Sequence, residues 1–367
     1  MIIFRLILAL FFLTIAFNRA FAEIKIDMEV VAEGLEHPWS LCFFSDGRML
    51  VTERPGRMRI VTQDGYVSSP ISGLPKVFNE GQGGLLDVII DPEFEKNRFI
   101  YFSYAEQENS VAGTAVARAK LKNSKIEDIT VIFRQYPKTD GENHFGSRLA
   151  FAKDGTLFVT LGERFDEMDE AQNPENHLGS IVRINPDGSI PEDNPFIDNI
   201  KMKPEIWSYG HRNVQGAALN PITGQLWTHE HGPRGGDEIN IPEAGKNYGW
   251  PKASYGIHYW MIPIKSNHSS QGFEEPVYHW TPSIAPSGMT FYTGNIFPQW
   301  KGNLFLGALA GKHLVRLTLD GNKVLNEEKL LDDMEYRIRD VKQSPDGYLY
   351  VITDSQNGKI LRITPHK

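Results

Sequence analysis

The chain has 367 residues, of which 41% are hydrophobic, and its formal net charge is −8. This length allows a large buried core, and the acidic balance excludes the basic footprint of a nucleic-acid-binding protein. The 33 glycines and 22 prolines are typical of many short strands joined by turns. The single cysteine, Cys42, permits no internal disulfide, so packing must hold the fold, with or without a metal ion.

The first 22 residues have the order of parts of a secretory signal peptide. Arg5 precedes an apolar run over Leu6–Phe17, and Ala20-Phe21-Ala22 follows as a small-residue cleavage site. A membrane anchor is the alternative, but the run is shorter than the roughly 20 residues that a spanning helix needs. The sequence therefore predicts cleavage before Glu23 and a periplasmic or secreted protein without stable membrane insertion.

After residue 22 the chain repeats a unit of short apolar runs. Asp-Gly pairs at 46–47, 154–155 and 346–347 indicate hairpin turns, because glycine adopts positive φ without strain. The units cover residues 40–61, 85–106 with 114–121, 148–162 with 180–184, 216–232 with 237–241, 288–319, and 339–363.

Six such units recur at roughly 55 residues, without a long amphipathic helix, and this predicts radial repetition. We expect an all-β fold, a six-bladed β-propeller of four-stranded antiparallel blades, in which residues 23–367 form one catalytic domain. Seven blades are the alternative if Ile24–Val31 and the C-terminus build more than a closing strand. A parallel β-helix would show shorter repeats.

The unusual polar residues collect between the units, most densely over residues 204–251. Loops at one end of a propeller converge on its axis, so we expect these residues to share one central pocket. They are Gly81–Gly84, Glu142–His144, His211–Asn213, Glu230–Asp237, Lys312 and Arg337–Arg339.

Within this set His144 is a candidate general base, because the unperturbed pKa of histidine lies near neutrality. The alternative is a loop histidine whose side chain is hydrogen-bonded to the backbone.

Arg212 has a planar, permanently charged guanidinium that can bind an anionic group through two N–H donors, and Asn213 adds a donor and an acceptor. A structural arginine that ties loop carbonyls together is equally compatible with the sequence.

A second group of residues is cationic. Arg337 and Arg339 are two apart and would point the same way on a strand, which is unfavourable unless an anion lies between them. Together with Lys312 they predict a polyanionic ligand. The alternative is a pair of salt bridges to Asp340 or Asp332.

Metal binding has two candidate patterns. His229 and His231 share a strand face, as zinc ligands do, but no third ligand is evident. The carbonyls of Gly232 and Pro233, with the carboxylate of Glu238, better suit a hard cation such as calcium.

The stretch GQGGLLD lacks the lysine of a phosphate loop, although Gln82 offers an amide to a flat polar ligand. A serine nucleophile elbow, CxxC, CxxCH and a dinucleotide fingerprint are also absent from the sequence. A redox cofactor would therefore be neither a covalent haem nor a nucleotide in its usual fold.

On these residues the chain resembles the soluble quinoprotein glucose/sorbosone dehydrogenase family, in its periplasmic aldose sugar dehydrogenase branch. The resemblance covers residues 37–363 and rests on GQGGLLD, HFGSRL, GHRNVQG, EHGPRGGDEIN, GKNYGWP and RIRDV. It implies a six-bladed propeller that binds pyrroloquinoline quinone (PQQ) and Ca²⁺. It further implies oxidation of aldose sugars at C1 to the lactone.

The resemblance also implies residue roles. His144 would take the proton from the C1 hydroxyl while hydride passes to the quinone C5. The carbonyls of Gly232 and Pro233 would hold the calcium at the quinone, and Glu238 and Tyr248 a second, structural calcium. The PQQ contacts would be Gln82, Arg212, Asn213, Lys312, Arg337 and Arg339.

Three features depart from the family or stay unassigned. Asn143 stands where some members carry an aspartate beside the catalytic histidine. No PQQ contact is assigned in the stretch 162–180, and the loop Ser254–Glu275 is expected to shape sugar choice.

Two other classes of function compete with the dehydrogenase. A calcium-dependent lactonase would gather carboxylates and asparagine on the axis, where this chain gathers lysine and arginine. The other alternative is a non-catalytic propeller that binds a partner through its rim, and such a protein would bind no stoichiometric cofactor. For a dehydrogenase the sequence predicts an aldose substrate and an electron acceptor of unassigned identity, and it is compatible with a monomer or a homodimer.

Overall fold

The computed structural model describes residues 24–366, and the predicted signal peptide, residues 1–22, lies outside them. Six antiparallel sheets are arranged around one axis, and the predicted six-bladed β-propeller is confirmed. No helix within residues 24–366 is long and apolar enough to cross a membrane.

The first three blades follow the chain in order. Blade 1 contains β2 (Pro38–Phe43), β3 (Met49–Glu53) and β4 (Arg57–Val61). Blade 2 contains β5 (Leu85–Ile90), β6 (Phe99–Glu108), β7 (Val111–Lys122) and β8 (Lys125–Arg134). Blade 3 contains β9 (Leu149–Phe151), β10 (Leu157–Thr160), β11 (Ser180–Ile184) and β12 (Ile206–Tyr209).

The remaining three blades complete the ring. Blade 4 contains β13 (Val214–Leu219), β14 (Leu226–Glu230), β15 (Asp237–Asn240) and β16 (Tyr278–Trp280). Blade 5 contains β17 (Pro286–Phe291), β18 (Leu304–Ala308), β19 (Leu314–Asp320) and β20 (Lys323–Leu330). Blade 6 contains β21 (Ile338–Gln343), β22 (Leu349–Thr353), β23 (Gly358–Pro365) and the N-terminal β1 (Ile26–Leu35).

Helical structure is short in the described range. The single α-helix is α1 (Phe94–Asn97), and the 3-10 segments are Met168–Gln172, Ser269–Gln271, Pro298–Trp300 and Asp332–Met334.

The two ends of the chain close the ring in blade 6. Strand β1 pairs antiparallel with β23, with Met28 opposite Ile363 and Val30 opposite Leu361. The N-terminal segment is therefore a closing strand, and the alternative of a seventh blade is not realised. This pairing covers the outer edge of β23, and β1 becomes the outermost strand of blade 6.

Blade 1 is the one sheet with three strands among the described residues. An isolated antiparallel bridge between Val61 and Val67 lies on the outer side of β4. It occupies the place of the fourth strand found in the other five blades.

The core consists of apolar layers between neighbouring blades. The second strands β3, β10, β14, β18 and β22 are buried along their whole length, because each blade packs against a neighbour on both faces. Burying each Leu, Val or Phe of these layers stabilises the fold by about 1.5–3 kcal/mol relative to leaving it exposed.

The three Asp-Gly hairpins form as predicted. Gly47, Gly155 and Gly347 have φ of 84°, 84° and 92°, in the left-handed region that suits glycine. Each turn joins the first strand of a blade to the second, which fixes the antiparallel meander.

This meander also decides where polar loops meet. The first strands β2, β5, β9, β13, β17 and β21 contact one another around the axis. Since neighbouring strands are antiparallel, the start of each first strand and the end of each second strand lie at the same face. Residues from all six blades are thereby brought to one mouth.

Candidate functional site

A cavity of about 280 Å³ opens at this mouth. Most of its lining comes from the beginnings of first strands or from the ends of second strands. The lining residues are Trp39, Arg54, Gln82, Leu86, Phe145, Gly146, Gln215, His231, Ala285, Leu309, Arg337, Arg339 and Asp354. The predicted convergence of Gln82, Arg337 and Arg339 on one pocket is therefore seen in the structure.

One wall of the cavity is basic. Arg337 and Arg339 both contact Asp354 Oδ2, with N–O distances of 3.3 and 3.0 Å. The sequence suggested Asp332 or Asp340 as the salt-bridge partner of these arginines, but the partner in the structure is Asp354. Burial acts to raise the pKa of Asp354, but the charge of Arg339 and the hydrogen bond from His37 outweigh it and hold this pKa far below its usual range.

This wall retains unused donor capacity. Two cations face one carboxylate, and the Nε atoms of Arg54 and Arg339 are buried without a hydrogen-bond partner in the described part of the chain. Burial lowers the pKa of Arg339, the charges of Arg148 and Arg337 add to this, and Asp354 offsets the effect only in part. An anionic ligand would complete this wall.

The floor of the cavity is a buried ion-pair network around Arg148. Its Nη1 lies 3.3 Å from both Asp87 Oδ1 and Asp340 Oδ2. Its Nε donates to the Gln215 carbonyl at 2.9 Å, and its guanidinium lies 4.1 Å from the ring centroid of Trp39. One arginine therefore joins first strands of five different blades beneath the cavity.

His144 is buried and has a carboxylate partner. Its Nδ1 donates to Glu163 Oε2 at 2.5 Å, and Glu163 is 1% exposed. The pKa of Glu163 lies below its ordinary value because attraction to His144 exceeds the opposing effect of burial, so this residue is a carboxylate. The hydrogen bond places the proton on Nδ1 and leaves Nε2 as a base.

The surroundings of His144 keep its ring neutral. Burial is the main reason that its pKa is lowered from 6.5, and the charge of Arg212 adds to this, whereas Glu163 opposes it. The ring packs edge-on against Phe165 with centroids 5.1 Å apart. Gly162 permits the backbone to approach His144 closely, because a Cβ there would clash with the His144 carbonyl.

Gln82 and Asn213 hold the loop that carries His144. Gln82 Oε1 accepts from the His144 backbone N at 2.9 Å, and Asn213 Oδ1 accepts from the Gly146 N at 3.1 Å. Asn213 Nδ2 is buried and has no hydrogen-bond partner within residues 24–366. After the Nε atoms of Arg54 and Arg339, this amide is a third unused donor near the cavity.

Arg212 ties loop carbonyls together, as one of the two interpretations expected. Its Nη1 donates to the carbonyls of His231 and Gly232 at 2.9 and 3.0 Å. Its Nε is buried without a partner among the described residues. Arg212 lines two smaller cavities beside the axial one, which it shares with Gly232 on one side and Glu163 on the other.

The structure does not favour a zinc site at His229 and His231. Their Nε2 atoms donate to the carbonyls of Ser287 and Pro286 respectively. Burial lowers the pKa of His229 to about 3, so it is a neutral donor in this strand pair. Among residues 24–366, no group of three or more His, Cys, Asp or Glu side chains could hold a metal ion.

The candidate calcium ligands fall into two places. Gly232, Glu238 and Tyr248 line a small cavity of about 10 Å³, and Glu238 lies opposite Glu230 in the β14–β15 ladder. Burial and the charge of Glu230 raise the pKa of Glu238 well above its usual range. Pro233 lines the neighbouring cavity instead.

Lys312 stands apart from the axial cavity. Its Nζ pairs with Glu335 Oε2 at 2.5 Å, with the lysine side chain 45% exposed. Lys312 is thus not among the lining residues, and its role as a cofactor contact stays a prediction.

Sequence reasoning missed three polar residues of this site. Arg54 and Asp354 directly follow the second strands β3 and β22, and Glu163 lies three residues after β10. Their common position, at the end of the second strand of a blade, is the signal that would have identified them.

A comparison with family models agrees with the fold and with this site. Residues 35–362 match the model described as Glucose / Sorbosone dehydrogenase. The chain belongs to this family. The predicted family is thereby confirmed over nearly the whole described chain.

Individual relatives of this Glucose / Sorbosone dehydrogenase family member support the assignment. The chain is 46% identical over 350 residues to aldose sugar dehydrogenase YliI of Escherichia coli, covering 94% of each chain. It is 26% identical to quinoprotein glucose dehydrogenase B of Acinetobacter calcoaceticus, covering 92% of this chain and 87% of the relative. These relatives are consistent with an oxidoreductase.

Among solved structures, the PQQ-bound aldose sugar dehydrogenase of Streptomyces coelicolor superimposes with a TM-score of 0.77 at 26% identity. The match covers 93% of this family member and 99% of the solved chain.

Proposed function

We propose that this chain is a PQQ- and calcium-dependent aldose sugar dehydrogenase that oxidises C1 of the sugar to the lactone. The observation that carries the proposal is the pairing of a buried, carboxylate-supported His144 with an adjacent cavity rich in unpaired cationic donors. Family membership and the quinoprotein and PQQ-bound relatives support it.

The residues of the axial cavity fit the proposed cofactor. PQQ is a flat ring system with three carboxylates, and the unused guanidinium donors of Arg54 and Arg339 suit such a polyanion. Arg212, which lines the two neighbouring cavities, would contact the cofactor from their side. Arg337 and Asn213 would add further polar contacts. Bound there, PQQ would supply a two-electron acceptor for the hydride that leaves C1.

The chain itself supplies the base and its orientation. His144 Nε2 would accept the proton of the C1 hydroxyl, because Nδ1 is already protonated toward Glu163. Glu163 would stabilise the imidazolium that results from this proton transfer. Arg212 lines the same cleft as Glu163 and would orient polar groups of the sugar.

Calcium binding is supported by the chemistry of the oxygen donors. The Gly232 carbonyl accepts from Arg212 and lines the small cavity beside the axial one, so calcium there would bind through the second lone pair of this oxygen or displace the guanidinium. Pro233 would provide a second carbonyl, and backbone oxygens are ligands that calcium prefers. At the second site, Glu238 lies beside Glu230, and a cation would offset the repulsion between these buried carboxylates.

The experiment is a titration of PQQ into the purified protein with calcium present, followed by dye reduction with glucose and other aldoses. Saturation near one equivalent with sugar-dependent reduction would establish the quinoprotein function. Failure to bind PQQ would leave a lactonase or a rim-binding module as the competing functions.

The proposal also covers where the enzyme acts and how many chains it contains. The signal-peptide pattern of residues 1–22 predicts a periplasmic or secreted enzyme, acting as a monomer or a homodimer with a separate electron acceptor.

A further inference from the structure

Arg164 is a buried arginine next to Glu163, on the segment that follows β10. It is 0% exposed, and its Nε has no hydrogen-bond partner among residues 24–366. Within this range its guanidinium donates to main-chain carbonyls and to no carboxylate. Burial lowers its pKa to about 10 against the attraction of Glu163 and Asp166, so it remains a cation at neutral pH. Burying a cation without a hydrogen-bonded carboxylate costs free energy, so a compensating benefit is expected.

The guanidinium of Arg164 binds the loop of His144 on both sides of the base. Its Nη2 donates to the Gly141 carbonyl at 2.6 Å, and its Nη1 donates to the Asn143 carbonyl. The guanidinium also covers the Phe145 ring, with its carbon 3.7 Å from the ring centroid. We call this arrangement of Arg164, the two carbonyls and the Phe145 ring the arginine clamp. Because the guanidinium is planar and rigid, it fixes the peptide groups before His144 and the side chain after it in one geometry.

The backbone around His144 needs such a constraint. His144, Arg164 and Phe165 have φ of 53°, 66° and 70°, in the left-handed region that residues with a Cβ rarely adopt. Such conformations persist only where the surrounding contacts over-determine them, and they cluster at functional sites. The arginine clamp supplies these contacts on one side of the loop, and Gln82 adds its hydrogen bond from the His144 N.

The charge of Arg164 also acts on the His144 ring. Burial is the main cause that lowers the pKa of His144, the charges of Arg212 and Arg164 add to it, and Glu163 opposes them. The other charged or titratable groups on the elements around this ring are the exposed Asp140 and Glu142 on its own loop, Asp166 after β10 and His231 after β14. A fixed loop and a neutral ring both favour a base that is ready to accept a proton.

We infer that Arg164 is a positioning residue, whose clamp holds the His144 ring at the geometry that proton transfer requires. The inference rests on the proposed function. A shift of about 1 Å in a reacting group can lower the rate by about 100-fold, so the clamp affects kcat although Arg164 does not line the axial cavity. The clamp uses the main-chain carbonyl of Asn143, so it does not require the aspartate that some family members carry at this position.

The test compares Arg164→Met with Arg316→Met. Methionine keeps an unbranched side chain but removes the donors and the charge. Arg316 is 4% exposed, lies in β19 of blade 5 and pairs with Glu328, so its variant is the matched control for the loss of a buried arginine. With PQQ, calcium and saturating aldose, kcat of Arg164→Met should fall about tenfold to 100-fold. PQQ affinity should change less than about threefold, and kcat of Arg316→Met should equal that of the wild type.

A measurement on the apo protein reports the position of the base without turnover. The His144 Nδ1 proton lies in a short hydrogen bond to Glu163, and such a proton gives a downfield NMR signal. The signal should be present in the wild type and in Arg316→Met, and lost in Arg164→Met, where the loop is released. The pKa of His144 should rise in Arg164→Met because a cation is removed, and stay near that of the wild type in Arg164→Lys.

Arg164→Lys decides the role of the clamp if Arg164→Met does not fold. Lysine keeps the charge, but its single ammonium cannot reproduce the planar contacts to both carbonyls and to the Phe145 ring. We expect its kcat to lie about fivefold or more below that of the wild type. A wild-type kcat in Arg164→Lys would overturn the clamp.

Failure of this inference and failure of the proposed function are distinguishable. Wild-type protein that oxidises no aldose contradicts the proposed function, and the Nδ1 signal of the apo variants still decides the role of Arg164. Aldose oxidation with a wild-type kcat and a wild-type Nδ1 signal in Arg164→Met, even at reduced thermal stability, overturns the positioning role alone.

Discussion

The Nδ1 of His144 donates a 2.5 Å hydrogen bond to the buried carboxylate of Glu163, nineteen residues further along the chain. His144 lies five residues before β9 and Glu163 lies three residues after β10, at the same end of blade 3. This relationship converts a loop histidine into an oriented base.

The first prediction concerns this pair. His144→Gln should lower kcat by about 10²- to 10⁴-fold, the contribution of a positioned general base, while PQQ remains bound. The measurement is dye reduction alongside PQQ absorbance. Unchanged turnover would remove His144 from the mechanism.

Glu163→Gln tests the positioning role through a pH profile. Activity requires neutral His144, so kcat/KM should fall as pH drops through a pKa below 6.5, where burial already places it. Removing the Glu163 charge removes a cause that raises this pKa, so the acidic limb should move to still lower pH. We expect kcat to fall about tenfold or more. If the acidic limb of Glu163→Gln moved to higher pH, the role assigned to Glu163 as the partner of His144 would be contradicted.

The second prediction concerns the basic wall. Arg337→Ala combined with Arg339→Ala should weaken PQQ binding about tenfold or more, because two charge-assisted contacts to carboxylates are lost. Fluorescence titration with PQQ measures this effect. Arg48→Ala removes an exposed arginine that pairs with Asp46, and it serves as a control that leaves the affinity unchanged.

The third prediction concerns Asp354, where Asp354→Asn should lower the stability of the fold and raise the affinity for the ligand. Its depressed pKa means that the carboxylate stabilises the fold above the unfolded pKa of about 3.9, and that this contribution is lost as pH falls below it. The variant should be less stable than the wild type in urea at pH 7, with a smaller difference near pH 3. PQQ should bind more tightly, since a competing anion is gone. Asp333→Asn, at an exposed position, should change neither property.

The fourth prediction concerns the floor of the cavity. Arg148→Met should reduce the free energy of unfolding by about 3–5 kcal/mol, because Asp87 and Asp340 would remain buried without their cation. Denaturant unfolding of the apo protein measures the change, and Arg148→Lys should recover part of it. Wild-type stability in Arg148→Met would show that the network is solvated.

The fifth prediction concerns the second calcium site. Calcium should raise the unfolding temperature of the wild type, because an ion that binds the folded state alone stabilises it. Glu238→Gln should reduce this rise, whereas Glu175→Gln, which changes an exposed carboxylate, should not. An equal rise in all three proteins would place the calcium elsewhere.

Much of the architecture was readable from local chemistry. The Asp-Gly turns and the alternating apolar runs determined where blades begin and that they are antiparallel. The number of blades followed from counting these units. The structure then shows that β1 closes the ring by pairing with β23. Turn geometry and strand propensity act over a few residues, which is why the sequence expresses them directly.

The candidate site was readable only in part. Gln82, Arg337 and Arg339 were recognised by residue type and do line the axial cavity, whereas Lys312 pairs with Glu335 outside that lining. Residue type cannot distinguish these cases. The distance of a side chain from the axis depends on the strand register of its blade.

The sequence by itself determined the fold class, the family and the inventory of cations and bases. The tertiary structure decided the partners, which are Glu163 for His144 and Asp354 for Arg337 and Arg339. The reason is that these contacts join residues far apart in sequence. The residues meet only when the ring closes and the starts of first strands and the ends of second strands lie at the same face. Their energies depend on burial, which is a property of the closed ring rather than of any local segment.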